Sequence, residues 1–306
     1  MNTTNNEART RLTGLLNLVI VYIVWGSTYL AIRIGVRPGS GFPPFFLAGT
    51  RVLTAGLILL AILAIQRKSI HLTRSEFLRL VFSGVLLWLG GNGLVVFAEQ
   101  HVDSSVAALI IGSTPLAVTL MESILNQRRP SALLILSMLV GFVGVGLLSA
   151  PAFTSGVKAD AGYVLLIVLA SILWGAGSLF QSRKPVSVAP ELSSAVQHLA
   201  GAGALLLTAF ITREPFPQPT TQALLAWGYL VVFGSLLAFT AYVRALRLLP
   251  TNLVMTYAYV NPVIAVILGA LILNEKPSAW TLGGMALILL GVAGVFRARA
   301  GQKPIH

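Results

Sequence analysis

Several side chains able to bind a polar ligand sit inside the apolar runs of this chain, where lipid-facing residues would be expected. The stretch "VWGSTYLAIR" (residues 24–33) places Trp25, Ser27, Thr28 and Tyr29 in such a run and ends on Arg33. Tyr22, Trp25 and Tyr29 follow three- and four-residue spacings, so they share one helical face. In "LWGAGSLFQSR" (173–183) the pattern recurs: Trp174 and Ser178, with Ser171 and Gln181, repeat that face 149 positions after Trp25. A tryptophan near mid-span is poorly placed to anchor at the interface, because its indole N–H has no partner in lipid. Trp25 and Trp174 are therefore expected to face a wet cavity, or else to pack with the N–H on a neighbouring carbonyl. Trp88 and Asn92 share a face with Glu99. The amide of Asn92 needs partners in a dry setting, whereas Glu99, beside His101 and Asp103, reads as solvated loop chemistry. Asn252, Thr256 and Tyr259 form a further polar face, flanked by Tyr257 and Asn261.

Pro115 and Pro262 each remove a backbone donor and bend a helix. The freed carbonyls could hold an ammonium group, or the bends could only shape packing. Arg51 and His198 are the deepest ionisable residues, and they correspond when Gly56 is laid over Gly203. Arg51 could receive a carboxylate as a bidentate donor or, in preference, act as a strut bonded to carbonyls. His198 could titrate, although a lone membrane histidine more often serves as a satisfied hydrogen-bonder. Glu122 is expected to pair near Arg128 and Arg129 at the helix end. These are binding residues, not a catalytic set. His71, His101, His198 and His306 are scattered, without metal spacing, and no phosphate-binding loop appears. With no cysteine, thiol and disulfide chemistry is excluded. No cofactor and no metal is expected, and the chain is not read as an enzyme.

The elements that position these residues follow from composition. Hydrophobic residues make up 56% and charged ones 10%, where soluble chains run near about a quarter charged. Cutting at charges, prolines and turn residues yields ten spans, each about the 20 residues that cross a bilayer. They are 13–33, 44–65, 77–99, 104–125, 131–150, 160–181, 191–211, 222–245, 251–273 and 279–297. The polar N-terminus lacks a small-residue cleavage site, so the first run is expected to be a retained helix. The net charge of +12 does not cluster as a nucleic-acid surface would require. Of the 21 Lys and Arg, Arg33, Arg37, Lys158, Arg213 and Lys276 fall on one side and Arg51 inside a span, leaving 15 on the other. That asymmetry predicts cytoplasmic N- and C-termini.

Residues 115–145 align with 262–292: Pro115 meets Pro262, "RPSA" meets "KPSA", and Met138 meets Met285. The chain therefore reads as an all-α integral membrane protein of two inverted five-helix repeats. The predicted segments are 1–12 (cytoplasmic), 13–150 (first repeat), 151–159 (outer loop), 160–297 (second repeat) and 298–306 (cytoplasmic). Five helices per unit force the second copy to insert upside down, an arrangement typical of secondary transporters with a site between the halves.

On "WGSTYLAIR", Arg51, the proline stretches at Ala107–Pro115 and Met255–Pro262, and "NEKPSAWTLGGMALILLGV", the chain resembles the ten-helix, EamA-type branch of the drug/metabolite transporter superfamily. Within it the resemblance is to the aromatic amino acid exporters. Asn274 stands where the family usually has glycine, and "NQRRPS" departs further, with Gln127–Arg128 in place of a Gly-Glu pair. The resemblance implies export or equilibration of small amphipathic metabolites, neutral and aromatic amino acids foremost, across a bacterial-type inner membrane by alternating access. The alternative is efflux of lipophilic cations, which calls for a membrane-buried carboxylate; the first helix has none, and Glu122 reads as peripheral. The expected partners are a small-molecule substrate and the lipid bilayer, with no nucleic acid and no obligate protein partner.

Overall fold

A computed structural model of the chain describes residues 2–102, 104–154, 160–273 and 278–299. Ten of the described helices are long and apolar enough to cross a membrane. They are α1 (Asn2–Val36), α2 (Pro44–Ile65), α3 (Arg74–Ala98), α4 (Ser104–Ile111 with Thr114–Asn126), α5 (Ala132–Thr154), α6 (Ala161–Arg183), α7 (Pro190–Ile211), α8 (Thr221–Leu248), α9 (Thr251–Val254 with Tyr257–Leu273) and α10 (Ala279–Ala298). The expected spans are recovered to within a few residues. α1 is the exception, because its polar N-terminal residues continue the helix before the apolar run begins. Leu120, Leu165, Leu225 and Leu290 are each more than 60% exposed, which suits a lipid solvent and not water.

Local chemistry sets where the helices begin. Proline opens α2 at Pro44 and α7 at Pro190, where its missing N–H costs nothing. Thr73 and Glu76 form a reciprocal capping box at α3. Thr220 and Ser278 accept from Ala223 N and Thr281 N at α8 and α10. Glu214 reaches back from the α7–α8 connection to accept from Phe45 N (3.0 Å) and Phe46 N (2.9 Å) at the start of α2. Burial raises its carboxyl above the ordinary value, and these two bonds pull it part of the way back.

Two kinds of irregularity recur at matching places. The third helix of each five carries a π segment, Leu86–Gly93 in α3 and Leu230–Phe239 in α8. The fourth helix of each five is interrupted. In α4 the break lies at Gly112–Ser113, directly ahead of Pro115, as the sequence predicts. In α9 it lies at Met255–Thr256, and Pro262 is carried inside the following helix, so the bend expected there is displaced. Thr256 accounts for the shift: its hydroxyl donates to Leu253 O (2.6 Å), stabilising a turn where the helix parts.

The packing exchanges partners between the first five helices and the last five. α2 lies along α7 and α5 along α10. α1 packs on α8 and α9, and α6 packs correspondingly on α3 and α4. Glycine permits the closest approaches, as is usual between membrane helices. A Cβ added at Gly291 would sit 2.5 Å from Gly141 N, and one at Gly144 would sit 2.7 Å from Ile288 N. Replacing Gly291 by leucine should therefore cost about 1–3 kcal/mol through overpacking, read as a lower melting temperature in detergent. Gly203→Ala, where the added methyl meets nothing within 4 Å, should not lower it.

Candidate functional site

The two Trp-Gly pairs meet at the centre of the bundle. The rings of Trp25 (α1) and Trp174 (α6) contact edge to face, with centroids 5.6 Å apart and planes at 72°, a favoured geometry for aromatic pairs. Their glycines serve the same end. Gly26 lets α1 close on α9, where a Cβ would lie 2.6 Å from Ile264, and Gly175 lets α6 close on α4, where a Cβ would lie 2.8 Å from Val118. Tyr257 and Tyr242 complete the cluster, 4.9 and 5.0 Å from Trp25. Tyr242, fully buried, was not singled out from the sequence. The Trp25 indole donates to Gly234 O (3.0 Å) in the π segment of α8, so it satisfies the packing alternative while also facing the cavity described next.

A cavity of about 790 Å3, counted to its open mouth, runs from this cluster to the end of α3. Its walls come from α1, α2, α3, α4, α6 and α9. Of the residues singled out by spacing, Trp25, Trp88, Asn92, Trp174, Tyr257 and Asn261 line it, as does Arg51. Four others do not, because cross-helix bonds hold them in the surrounding seams. Tyr22 OH bonds Thr256 Oγ1 (2.5 Å) between α1 and α9. Ser178 Oγ bonds Tyr242 OH (2.5 Å) between α6 and α8, and Tyr259 OH donates to Met138 O (3.0 Å) on α5. The side chain of Tyr29 lies outside the described residues.

Ser171, placed on the Trp174 face by spacing, also lines the cavity, and the structure adds Thr28, Thr114 and Glu99. Thr28 lies three residues from Trp25, a spacing that would have found it. Glu99, read from the sequence as loop chemistry, instead borders the cavity mouth, because α3 runs on to Ala98 and carries the Trp88–Asn92 face up to it.

Arg51 is 3% exposed. Its Nε donates to Ser235 Oγ (2.9 Å), and its guanidinium carbon lies 5.4 Å from the Trp88 ring centroid. The absence of a side chain at Gly234 makes room for it, since a Cβ there would lie 2.9 Å from Nη2. Among the described residues no salt bridge involves Arg51. Arg51 is thus strut and cavity wall together. His198, its counterpart in sequence, is sealed away: Nδ1 bonds Ser194 O (2.7 Å), and the ring packs on Trp88 and Phe239 at 4.8 and 4.7 Å.

Away from the mouth the bundle is tied shut. Glu122, expected to be peripheral and near Arg128 and Arg129, is buried and differently paired. It accepts from Asn252 Nδ2 (2.8 Å) and from Arg299 (3.1 Å), because the interrupted α9 and the end of α10 converge on α4. Burial holds Arg299 below its ordinary value while Glu122 draws it back up. Arg183 bonds Asn126, and Arg244 pairs with Glu191, on the same side.

The family model for EamA-like transporters matches this chain twice, over residues 12–150 and 161–297. The chain belongs to the EamA-like transporter family. Each match takes in five of the ten spans. The uncharacterized inner membrane transporter YedA of Escherichia coli (strain K12) is 36% identical over 277 residues, covering 90% of this chain and 86% of its own. An uncharacterized transporter of Archaeoglobus fulgidus is 27% identical, over 93% and 96% of the two chains. YoaV of Bacillus subtilis, likewise called an uncharacterized transporter, is 23% identical over 91% and 94%. A solved crystal structure superposes with a TM-score of 0.78 at 21% identity, over 96% of this chain and 98% of that one, a likeness that bears on fold. The protein is a multi-pass membrane transporter.

The chain has no cysteine, so a single introduced one reports access cleanly. Thr28→Cys should react with a water-soluble maleimide from the Glu99 face, and Ser178→Cys should be protected. Adding Glu122→Gln to the Ser178→Cys protein should raise its labelling severalfold by releasing the inner tie.

Proposed function

We propose that this transporter exports or equilibrates small amphipathic metabolites, with neutral and aromatic amino acids as the natural substrates. One observation carries the reading: an aromatic-walled cavity at the junction of the two sets of five helices holds a buried guanidinium with no acid partner among the described residues. Burying an unpaired charge is costly, and a ligand carboxylate would offset that cost, while Trp25, Trp174 and Tyr257 offer surface to an aromatic side chain. The same guanidinium disfavours lipophilic cations; the buried carboxylate of Glu122 lies outside the cavity lining, and Glu99 stands at its mouth.

The mechanism is alternating access between two five-helix repeats, 13–150 and 160–297, inserted in opposite senses. The cavity faces outward in the present form. The Glu122–Asn252–Arg299 tie closes the cytoplasmic side and must part for release or loading there. The excess of basic residues supports cytoplasmic termini, and the name of the Escherichia coli relative supports an inner-membrane location. Reporter fusions placing residues 1–12 and the segment around 154–159 in one compartment would rule this topology out.

Purified protein in liposomes preloaded with unlabelled L-phenylalanine should accumulate the labelled amino acid by counterflow. Trp25→Ala and Trp174→Ala should each reduce the rate about tenfold or more, as loss of a buried aromatic contact of about 1.5–3 kcal/mol implies. Normal counterflow by both variants would remove the cavity from the pathway.

A further inference from the structure

The cavity walls contain polar atoms that the protein leaves without partners. Trp88 Nε1, Asn92 Oδ1, Ser171 Oγ and Trp174 Nε1 are buried and have no hydrogen-bond partner among the described residues, the last lying beside the Tyr242 hydroxyl. All four residues line the cavity. Leaving a buried polar group unmatched costs about 1–3 kcal/mol each, and folded proteins leave few such groups.

Comparable groups nearby are satisfied. Ser27, Thr28, Ser178 and Thr256 each turn back to a carbonyl three or four residues earlier in the chain, yet Ser171 does not. Trp25 and Trp227 donate to Gly234 O and Thr50 Oγ1, yet Trp88 has no acceptor.

Trp174 Nε1 belongs with the aromatic cluster; the other three atoms are sorted by sign. The Trp88 donor sits under the Arg51 guanidinium, which lies over its ring at 5.4 Å, so two sources of N–H adjoin. Asn92 follows four residues on in the same π segment of α3, about one turn nearer the mouth. Ser171 joins it from α6. The two helices are locked in register by Gly91, whose missing side chain admits the Trp174 ring: a Cβ there would fall 2.5 Å from Trp174 Cε3. Ser171 lies about one turn from that contact toward the mouth, and Asn92 is the residue next to Gly91 on the same side.

We infer that the cavity holds an α-amino acid zwitterion in one orientation, its carboxylate on Arg51 and Trp88 Nε1 and its ammonium on Asn92 Oδ1 and Ser171 Oγ. This assignment rests on the amino acid reading above. About one turn of helix between poles accommodates the two charged ends of one α-carbon together with their hydrogen bonds. The aromatic cluster receives the side chain. Both charged ends are therefore required, and each is read by its own pair of residues.

The experiment measures competition against labelled L-phenylalanine by 2-phenylethylamine, which lacks the carboxylate, and by 3-phenylpropionate, which lacks the ammonium. On the unaltered protein each analogue should bind roughly ten- to a hundredfold more weakly than phenylalanine, as loss of a charged hydrogen-bond set implies. Arg51→Gln should weaken phenylalanine to the level of the amine and leave the amine's affinity unchanged. Trp88→Phe, which keeps a ring and removes only the N–H, should act in the same direction and serves if Arg51→Gln does not fold. The pair Asn92→Leu with Ser171→Ala should weaken phenylalanine to the level of the acid and leave the acid unchanged. Variants that weaken all three ligands alike, or that exchange the two patterns, would overturn the assignment while phenylalanine binding by the unaltered protein stands. Failure of the unaltered protein to bind any amino acid would instead overturn the substrate reading on which it rests.

Discussion

The edge-to-face contact of Trp25 with Trp174 is the constraint around which the other helices are arranged. Two indoles from equivalent helices can touch only if both backbones come close to the middle of the bundle. That approach requires Gly26 against α9 and Gly175 against α4. It also requires a place for each indole. Trp25 takes the carbonyl of Gly234 in the π segment of α8, and Trp174 fills the space left by Gly91 in the π segment of α3. In an ordinary α-helix the backbone carbonyls are fully engaged. A π segment loosens that pattern, and such segments are frequent at functional sites. Here both lie beside the central tryptophans, so the duplication, the glycines and the helical irregularities belong to one arrangement.

The bilayer explains how polar chemistry is distributed around that contact. With no water to satisfy them, buried polar groups must find partners within the protein. Most do so across helices, as with Tyr22 and Thr256, Ser178 and Tyr242, or Tyr259 and Met138 O. These bonds form a sealed layer between α1, α5, α6, α8 and α9. Trp88, Asn92, Ser171 and Trp174 instead leave such atoms without partners among the described residues in the cavity wall. Residue type alone does not separate the two sets. Geometry does.

Much of the architecture was legible in the sequence. Apolar runs of bilayer length gave the ten spans, and the coincidence of Pro115 with Pro262 and of Trp25 with Trp174 gave the pairing of the halves. Trp25, Trp88, Asn92, Trp174, Tyr257 and Asn261 were found because helical spacing reports which side chains share a face. Spacing cannot report which neighbour that face meets, so Tyr22, Ser178, Thr256 and Tyr259 were assigned to the cavity although cross-helix partners claim them. Tyr242 escaped notice for the converse reason: its face is defined by the helices it packs against. Glu122 was misread because its partners lie 130 and 177 positions away. The divergence of Arg51 from His198 was likewise invisible, since corresponding sequence positions do not impose equal surroundings.

The tie at Glu122 breaks the internal equivalence of the molecule. A shift of 147 from Glu122 arrives at Gly269, which carries no side chain with which to build a matching clasp at the other mouth. In the alternating-access cycle proposed above, parting this buried ion pair would burden one stroke and not the other. A duplicated scaffold thereby acquires two unlike ends.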